Sequence, residues 1–250
     1  MAIELANHIY RDGEGVPVVL MNAYPVDHRM WDVCAKALAD FADLNDVPDF
    51  PIWAPDMAGS GASPVPSEAD SGPRMANGAY SEALDRLAGA YVDLIKAAGY
   101  EQAIWVGLSM GGYGALRLAL RYPGRYAAAA SISGCVEMER GYETFRRQNP
   151  SVLEELDNVY GGERELLRGP GCLFGLADRF LKEPQRAPRM YMACGTEDFL
   201  FDANEHFFAR FGKELPIEYH TEPGNHTWDF WDRYIERILA WLPLDQAEGV

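Results

Sequence analysis

The 250-residue chain is poor in positive charge: 22 Lys and Arg residues stand against 38 Asp and Glu residues, which gives a formal net charge of −16. This balance argues against nucleic acids and anionic membranes as partners, because both select basic surfaces. No apolar run approaches the roughly 18 residues of a membrane span. The first residues also lack the basic and apolar segments of a signal peptide. We therefore expect a cytoplasmic protein with no nucleic-acid or membrane partner.

Cysteine and metal-ligand motifs are equally scarce. The chain has no C-x-x-C pair, no P-loop, no H-E-x-x-H motif and no Cys/His cluster with zinc spacing. Gly59-Ser60-Gly61 lacks the spacing of a dinucleotide-binding loop. We predict no cofactor and no metal, and we expect free thiols in a reducing compartment at Cys34, Cys135, Cys172 and Cys194.

Short β-rich runs alternate with longer helical patterns, which predicts a mostly parallel α/β sheet with helices on both faces. Continuous apolar runs are typical of strands covered on both sides. Ile3–Tyr10 is expected to add one or two antiparallel strands at the edge. Together with the apolar runs, this gives a sheet of about seven to eight strands in a single domain over residues 1–250. The runs are Val16–Asn22, Ile52–Pro55, Ala103–Leu108, Ala127–Ser133, Met190–Cys194 and Ile217–His220, and the helical patterns are Met30–Phe41, Ser81–Ala98, Met110–Arg121 and Trp228–Leu242.

One region departs from this alternation. Glu137–Pro188 has mixed charge and an interrupted helical pattern, with no convincing strand. We interpret residues 137–188 as a helical lid inserted into the domain, which would form a wall of the substrate pocket. The candidate lining residues are Leu153, Tyr160, Leu173 and Phe174.

The clearest chemical motif is Gly107-Leu108-Ser109-Met110-Gly111, which lies between an apolar run and an Ala/Leu-rich helical pattern. Strand, G-x-S-x-G turn and helix together are the context of a nucleophile elbow. The turn is so tight that side chains at the two glycine positions would collide with the neighbouring strand and helix. The helix N-terminus also offers free N–H groups to an oxyanion. We predict that Ser109 is a nucleophile.

A serine nucleophile needs a base that is oriented by an acid, and on such an elbow both partners follow the serine in the chain. Asp198 follows a predicted strand and is the candidate acid; Glu197 competes with it, and Asp198 could instead cap the next helix. His226 follows the next strand in a tight loop and is the candidate base. His206 and His220 fall within a helix and a strand and are interpreted as packing residues.

With these motifs in place, the chain resembles the alpha/beta-hydrolase superfamily. NAYPVDHRMW (Asn22–Trp31) looks like its oxyanion loop, and APDMAGSGAS (Ala54–Ser63) resembles its Asp-x-x-Gly-x-Gly-x-Ser segment. GTEDFL (Gly195–Leu200) and NHTWDFWDRYI (Asn225–Ile235) are similar to the esterase D and tributyrin-esterase-like group. The resemblance implies an alpha/beta-hydrolase fold, and it implies that Asp56 shapes a loop near the active site without taking part in chemistry.

The oxyanion loop departs from the family pattern, because Asn22-Ala23 replaces the usual His-Gly. By position, the resemblance implies that the oxyanion donors are the backbone N–H groups of Tyr24 and Met110. Alanine restricts the backbone more than glycine does, so we expect the geometry of this loop to differ from the family pattern. Asp27 and His28 either line the pocket mouth or form a surface turn.

The function expected from these residues is hydrolysis of carboxylic esters through a Ser109–His226–Asp198 triad and an acyl-enzyme. The partner is then a small-molecule ester. The same triad also serves amide hydrolases, carbon–carbon bond hydrolases and perhydrolases, and these alternatives stay open. A binding protein that keeps the fold without catalysis is a further alternative.

Overall fold

The computed structural model describes residues 3–44, 47, 49–74, 82–148, 153–154, 156–157, 160–169, 171–182 and 187–244. Within these residues, seven strands form one sheet in the spatial order β1-β3-β2-β4-β5-β6-β7. β1 is antiparallel to β3, and the other neighbouring pairs are parallel. The strands are β1 (Asn7–Arg11), β2 (Val18–Met21), β3 (Ile52–Pro55), β4 (Ala103–Leu108), β5 (Tyr126–Ile132), β6 (Arg189–Gly195) and β7 (Ile217–Glu222). The predicted fold class is confirmed.

The parallel strands end within two residues of their predicted ends. Every residue of β2, β3 and β4 is buried, because helices cover both faces of the sheet. The predicted edge segment supplies one strand, β1, whose residues are only partly buried or exposed. A continuous apolar run is therefore a reliable signal for the central strands and a weaker one at the edge.

The helices that connect the strands follow the predicted alternation. They are α1 (Asp32–Leu44), α2 (Glu68–Ser71), α3 (Ala83–Ala97), α4 (Met110–Arg121), α5 (Met138–Gln148), α6 (Glu163–Arg168), α7 (Leu173–Lys182), α8 (Phe201–Phe211) and α9 (Trp228–Trp241). The prediction for Met30–Phe41 was wrong at both ends. A 3-10 turn begins at His28, since the Asp27 carboxylate accepts the Arg29 N–H as its cap, and α1 then extends to Leu44.

Two helical layers sandwich the sheet. Val18 and Leu20 face one apolar cluster, which contains the buried sides of α1 and α9. Val19 and Met21 face the opposite cluster, which contains residues of α3 and α4. A further cluster on the α4 side joins α4 to α7 and α8. Alternate residues of β2 therefore face opposite helical layers. The carboxyl ends of β2 and of the neighbouring strand β4 lie between these two layers.

The segment 137–188 contributes α5, α6 and α7, and no strand lies in its described part. α7 buries Leu173, Leu176 and Phe180 in the cluster that also contains Leu116 of α4. The Tyr113 hydroxyl of α4 donates to the Gly171 carbonyl at 2.7 Å. The segment is thus anchored to the helix that follows the elbow. None of the helices in the described residues has the length and apolar character that crossing a bilayer would require.

Candidate active site

The elbow holds Ser109 in a backbone conformation that side chains rarely adopt. Ser109 has φ 52° and lies between β4 and α4. A Cβ on Gly107 would collide with the backbone of Gly111, and a Cβ on Gly111 would collide with the Met21 carbonyl of β2. Glycine is therefore required at both positions, as the sequence predicted. The left-handed conformation stores local strain of the kind found at functional sites.

His226 connects Ser109 to a buried carboxylate. Its Nε2 lies 3.2 Å from the Ser109 Oγ, and its Nδ1 lies 2.8 Å and 3.1 Å from the two carboxylate oxygens of Asp198. The Asp198 side chain is fully buried, whereas the His226 side chain stays 17% exposed. The fold thus brings together three residues from the loops after β4, β6 and β7. Their spacing matches a nucleophile, a base and an orienting acid.

The loops that carry Asp198 and His226 are joined through their backbones. The Thr196 N–H donates to the Glu222 carbonyl at 3.0 Å, and the Glu197 N–H donates to the Gly224 carbonyl at 2.9 Å. The Glu197 carboxylate accepts the Gly224 N–H. A Cβ on Gly195 would collide with the Gly224 carbonyl. Glu197 is thus a partner of the base loop, and its carboxylate is exposed while Asp198 is buried.

Asp198 also fixes the turn that follows it. Its carboxylate accepts the Leu200 N–H at 2.9 Å, and its carbonyl accepts the Phe201 N–H at 2.9 Å, at the start of α8. The N-cap residue of α8 is Leu200 and no side chain caps the helix there, so the alternative that the Asp198 carboxylate caps this helix is wrong. The hydrogen bond from the Leu200 N–H helps to hold the carboxylate in its orientation towards His226.

The other two histidines that follow Asp198 lie elsewhere. His206 is exposed on α8, where its Nδ1 contacts the Glu137 carboxylate at 2.9 Å. His220 stacks on the ring of Tyr191 with centroids 4.9 Å apart. The packing role predicted for His220 agrees with this contact. His206 is better described as a surface partner of Glu137 that also touches Phe174.

The segment predicted to form the oxyanion site lies beside the elbow. The carbonyl groups of Met21 and Asn22 lie directly against Gly111. Asn22 is fully buried, and its amide donates to the Pro55 carbonyl at 3.2 Å. The Ala23 N–H donates to the Met30 sulfur at 3.2 Å. Met110 is the first residue of α4, so its N–H precedes the helical hydrogen-bond ladder.

Four residues of the segment 137–188 were predicted to line the pocket. Tyr160 and Leu173 are buried in the cluster that joins α4, α7 and α8, and Leu153 packs against that cluster. The Phe174 ring contacts the rings of Phe207 and Phe211, each with centroids 5.3 Å apart. These contacts fix α7 against α8, and a role of the four residues towards substrate stays a prediction.

Two residues next to the triad were missed by the sequence reading. The Cys135 sulfur lies 3.8 Å from the Ser109 Oγ, and burial raises the pKa of its thiol to about 11. Trp231 meets the His226 ring edge-on with centroids 4.9 Å apart, and its indole donates to the Ser133 Oγ. Sheet order could have found Cys135, because it follows β5, the strand beside β4.

One further cluster in the described residues could hold a metal ion by its chemistry, namely His8, His28 and Asp56. The His8 and His28 rings are stacked, with centroids 3.3 Å apart and an interplanar angle of 9°. Because an imidazole nitrogen binds metal in its ring plane, two parallel stacked rings cannot both direct a lone pair at one ion. The geometry does not fit a metal site.

The same cluster is satisfied by hydrogen bonds. Asp56 is fully buried, and its carboxylate accepts the backbone N–H groups of His28 at 2.7 Å and Ala62 at 2.9 Å. Its oxygens also lie 3.0 Å from ring nitrogens of His8 and His28. Burial alone would raise the pKa of Asp56, but these hydrogen bonds outweigh it and hold the pKa below its ordinary value. His28 and Asp27 therefore form a structural turn, and Asp56 fastens the loop between β2 and α1.

Residues 16–171 match the family model described as "alpha/beta hydrolase fold". The chain belongs to the alpha/beta hydrolase fold family. The match ends before Asp198 and His226, so the family model does not cover these two residues. The family and the fold that the sequence predicted are confirmed.

Relatives of this alpha/beta hydrolase include a protein named acetyl esterase from Caldicellulosiruptor saccharolyticus. The two are 31% identical over 139 residues, which is 54% of this chain and 52% of the relative. This chain therefore matches about half the length of that relative. The acetyl esterase is thus a sequence relative of this hydrolase, and the aligned residues leave about half of each chain unmatched.

Solved structures share the fold over almost the whole chain. The fluorophosphonate-binding serine hydrolase F (FphF) of Staphylococcus aureus has a TM-score of 0.68 and 17% identity, with 96% of this chain and 98% of that chain covered. S-formylglutathione hydrolase (FrmB) of the same organism has a TM-score of 0.64 and 18% identity, with 96% and 99% covered. A thermophilic esterase of Thermogutta terrifontis has a TM-score of 0.61 and 20% identity, with 99% and 95% covered.

Proposed function

We propose that this protein is a serine hydrolase that cleaves carboxylic esters with small or medium acyl chains. The observation that carries the proposal is the unbroken hydrogen-bonded path from Asp198 through His226 to the Ser109 Oγ at the elbow. The relative named acetyl esterase supports an ester as substrate. The four free thiols are consistent with a reducing, cytoplasmic location.

In the acylation step, the Ser109 Oγ attacks the carbonyl carbon of the ester while His226 Nε2 takes the serine proton. Asp198 holds the imidazole through Nδ1 and stabilises its positive charge. The backbone N–H groups of Tyr24 and Met110 donate to the oxyanion of the tetrahedral intermediate. The carbon–oxygen bond to the alcohol then breaks, and His226 returns the proton to the departing oxygen.

In the deacylation step, His226 takes a proton from water, and the resulting hydroxide attacks the acyl carbon bound to Ser109. The second tetrahedral intermediate collapses, the acid is released, and the proton passes from His226 back to the Ser109 Oγ. Every proton is returned, so the cycle needs no cofactor. Neither step uses the Cys135 thiol beside Ser109, whose pKa is raised by burial.

Residues 137–188 act as the lid in this proposal. The hydrogen bond from the Tyr113 hydroxyl of α4 to the Gly171 carbonyl supports a lid that borders the elbow and takes no part in the chemistry. Leu153, Tyr160, Leu173 and Phe174 would then set the size of the acyl group. Shortening Phe174 to alanine should shift the acyl preference along an acetate-to-octanoate series while fluorophosphonate labelling of Ser109 continues.

The test of the function is a fluorophosphonate probe with mass mapping, combined with turnover of p-nitrophenyl acetate. The wild-type protein should carry one label on Ser109 and turn over the ester continuously. Ser109→Ala should lose the label and about 10⁴- to 10⁶-fold in kcat, as triad nucleophiles do. Ser67→Ala, which alters an exposed serine that caps α2, is the matched control and should behave like wild type.

The outcomes separate the alternatives. Labelling at a different serine would contradict the assignment of Ser109. Absence of both label and turnover in a folded wild-type protein would indicate a binding protein. Label on Ser109 with turnover of acetanilide and none of esters would move the function to amide hydrolysis.

A further inference from the structure

An exposed aromatic ring borders the base of the triad. Phe199 follows Asp198 directly, and its ring lies against the His226 ring with centroids 4.7 Å apart and an interplanar angle of 49°. Phe199 is 55% exposed, although Asp198 and Leu200 on either side are only 5% and 8% exposed. His226 thus touches one exposed ring, Phe199, and one buried ring, Trp231.

The turn that carries Phe199 is fixed on both sides. Asp198 accepts the N–H groups of Leu200 and Phe201, so the backbone that follows the ring is bonded to one buried residue. Glu197, on the other side, is bonded to Gly224. The ring is therefore presented to solvent by a pre-organised loop, and a group that stacks on it does not have to order the chain first.

The chemistry of ester cleavage places the alcohol portion beside this ring. His226 returns its proton from Nε2 to the departing oxygen, so that oxygen must come within hydrogen-bonding distance of Nε2. Nε2 belongs to the imidazole against which Phe199 packs. Substituents on the departing oxygen accordingly lie within reach of the Phe199 ring, whereas the acyl portion is attached to Ser109.

We propose that Phe199 forms a leaving-group subsite that favours esters of aromatic or other flat apolar alcohols. The proposal rests on the ester hydrolysis proposed above and specifies its substrate class. Apolar burial together with offset or edge-to-face ring contact makes such pairs more stable than contacts of a small alkyl group. The acyl preference and the alcohol preference then have separate origins, in residues 137–188 and in Phe199.

The experiment compares benzyl acetate with methyl acetate in wild type, Phe199→Ala and Phe199→Trp. The two esters share one acyl-enzyme, and both leaving groups are alkyl alcohols. Phe199→Ala should lower kcat/KM for benzyl acetate about three- to tenfold more than for methyl acetate. Phe199→Trp should keep the benzyl preference. Phe41→Ala, on α1, is the matched control, because Phe41 is 58% exposed and outside the site.

A second measurement distinguishes substrate recognition from support of His226. The rate of Ser109 labelling by a fluorophosphonate that releases fluoride should stay near the wild-type rate in Phe199→Ala, because no alcohol departs. An equal loss for both esters, together with slower labelling, would assign Phe199 to positioning His226 and overturn the subsite.

The two proposals fail in different ways. If the wild-type protein hydrolyses neither ester, the proposed function fails and the subsite fails with it. If the wild type hydrolyses both esters and Phe199→Ala leaves their ratio unchanged, ester hydrolysis stands and only the leaving-group subsite is overturned.

Discussion

Asp198 and Glu197 are neighbours in the chain, and the fold gives their carboxylates different partners. Asp198 is buried and lies 2.8 Å from His226 Nδ1. Glu197 is exposed, and its carboxylate accepts the Gly224 N–H. The choice of Asp198 in the sequence analysis rests on its match to the acid position of the resembling esterases, because the direction of each side chain depends on the backbone turn after β6.

Replacing each carboxylate by its amide tests this division at the residue scale. Asp198→Asn should lower kcat about 10⁴-fold with the fold intact, since an amide neither stabilises the imidazolium nor keeps the correct tautomer. Glu197→Gln should change kcat little, because the amide oxygen can still accept the Gly224 N–H. Steady-state kinetics on p-nitrophenyl acetate measures kcat of both variants, and circular dichroism checks that they are folded. A large loss of kcat in Glu197→Gln with little change in Asp198→Asn would make Glu197 the acid.

At the scale of elements, the close approach of α4 to β2 sets the position of the elbow. Gly111 has no room for a methyl group, because the Met21 carbonyl occupies the place of its Cβ. Gly89 is the natural comparison: it also lies in a helix, α3, and a Cβ there would meet nothing within 4 Å. An alanine at Gly111 therefore tests close packing, whereas an alanine at Gly89 tests helix propensity alone.

Gly111→Ala should lower the free energy of unfolding by at least about 2 kcal/mol, because the added methyl group must push backbone apart. Gly89→Ala should raise it by about 0.5–1 kcal/mol, the usual gain of alanine over glycine inside a helix. Urea unfolding monitored by tryptophan fluorescence measures both. Equal stability of the two variants would contradict the packing that we describe at the elbow.

The Asp56 cluster connects β1, the loop after β2 and the end of β3. Because hydrogen bonds hold the pKa of Asp56 below its ordinary value, the carboxylate stabilises the fold above the unfolded-state pKa of about 3.9. That contribution is lost as the pH falls through the lower folded-state pKa. Removing the Asp56 charge should therefore lower the free energy of unfolding at neutral pH and have a much smaller effect in acid.

Asp56→Asn should lower the free energy of unfolding by about 2–4 kcal/mol at pH 7, because the amide cannot accept all four hydrogen bonds. The difference from wild type should shrink at pH 3 and below. Urea titrations at pH 7, 5 and 3 give the comparison. A difference that is constant over this range would mean that the Asp56 charge does not stabilise the fold.

The sequence predicted those elements whose signal is local. β4, the elbow and α4 were placed correctly because a buried strand, two obligatory glycines and a helix follow one another within twenty residues. The cluster of His8, His28 and Asp56 was missed, since its members are 20 to 48 residues apart and meet only through the pairing of β1 with β3. Phe199 was missed as a contact of His226 for the same reason.

At the scale of the whole molecule, the net charge of −16 acts on the approach of substrate. A surface of one sign repels ligands of the same sign, and salt screens this repulsion because the Debye length is about 10 Å at 0.1 M. An ester with a carboxylate should therefore be a poorer substrate at low salt than a neutral ester of the same size.

Raising the ionic strength from about 0.01 M to 0.2 M should increase kcat/KM for monomethyl succinate about two- to fivefold. The value for methyl butyrate, which is neutral, should stay nearly constant. Parallel titrations with sodium chloride measure the two esters. An equal response of both would show that salt acts on the protein and not on the approach of the anion.

The contact between Gly195 and Gly224 has a mechanical consequence. The Asp198 loop and the His226 loop share backbone hydrogen bonds, whereas Ser109 follows β4, and β5 separates β4 from β6. A change in the spacing of β4 and β6 should therefore alter the 3.2 Å distance between His226 Nε2 and Ser109 Oγ before it alters the contact between His226 and Asp198. Mutations that loosen β5 should shift Ser109 relative to His226 and leave His226 and Asp198 in contact.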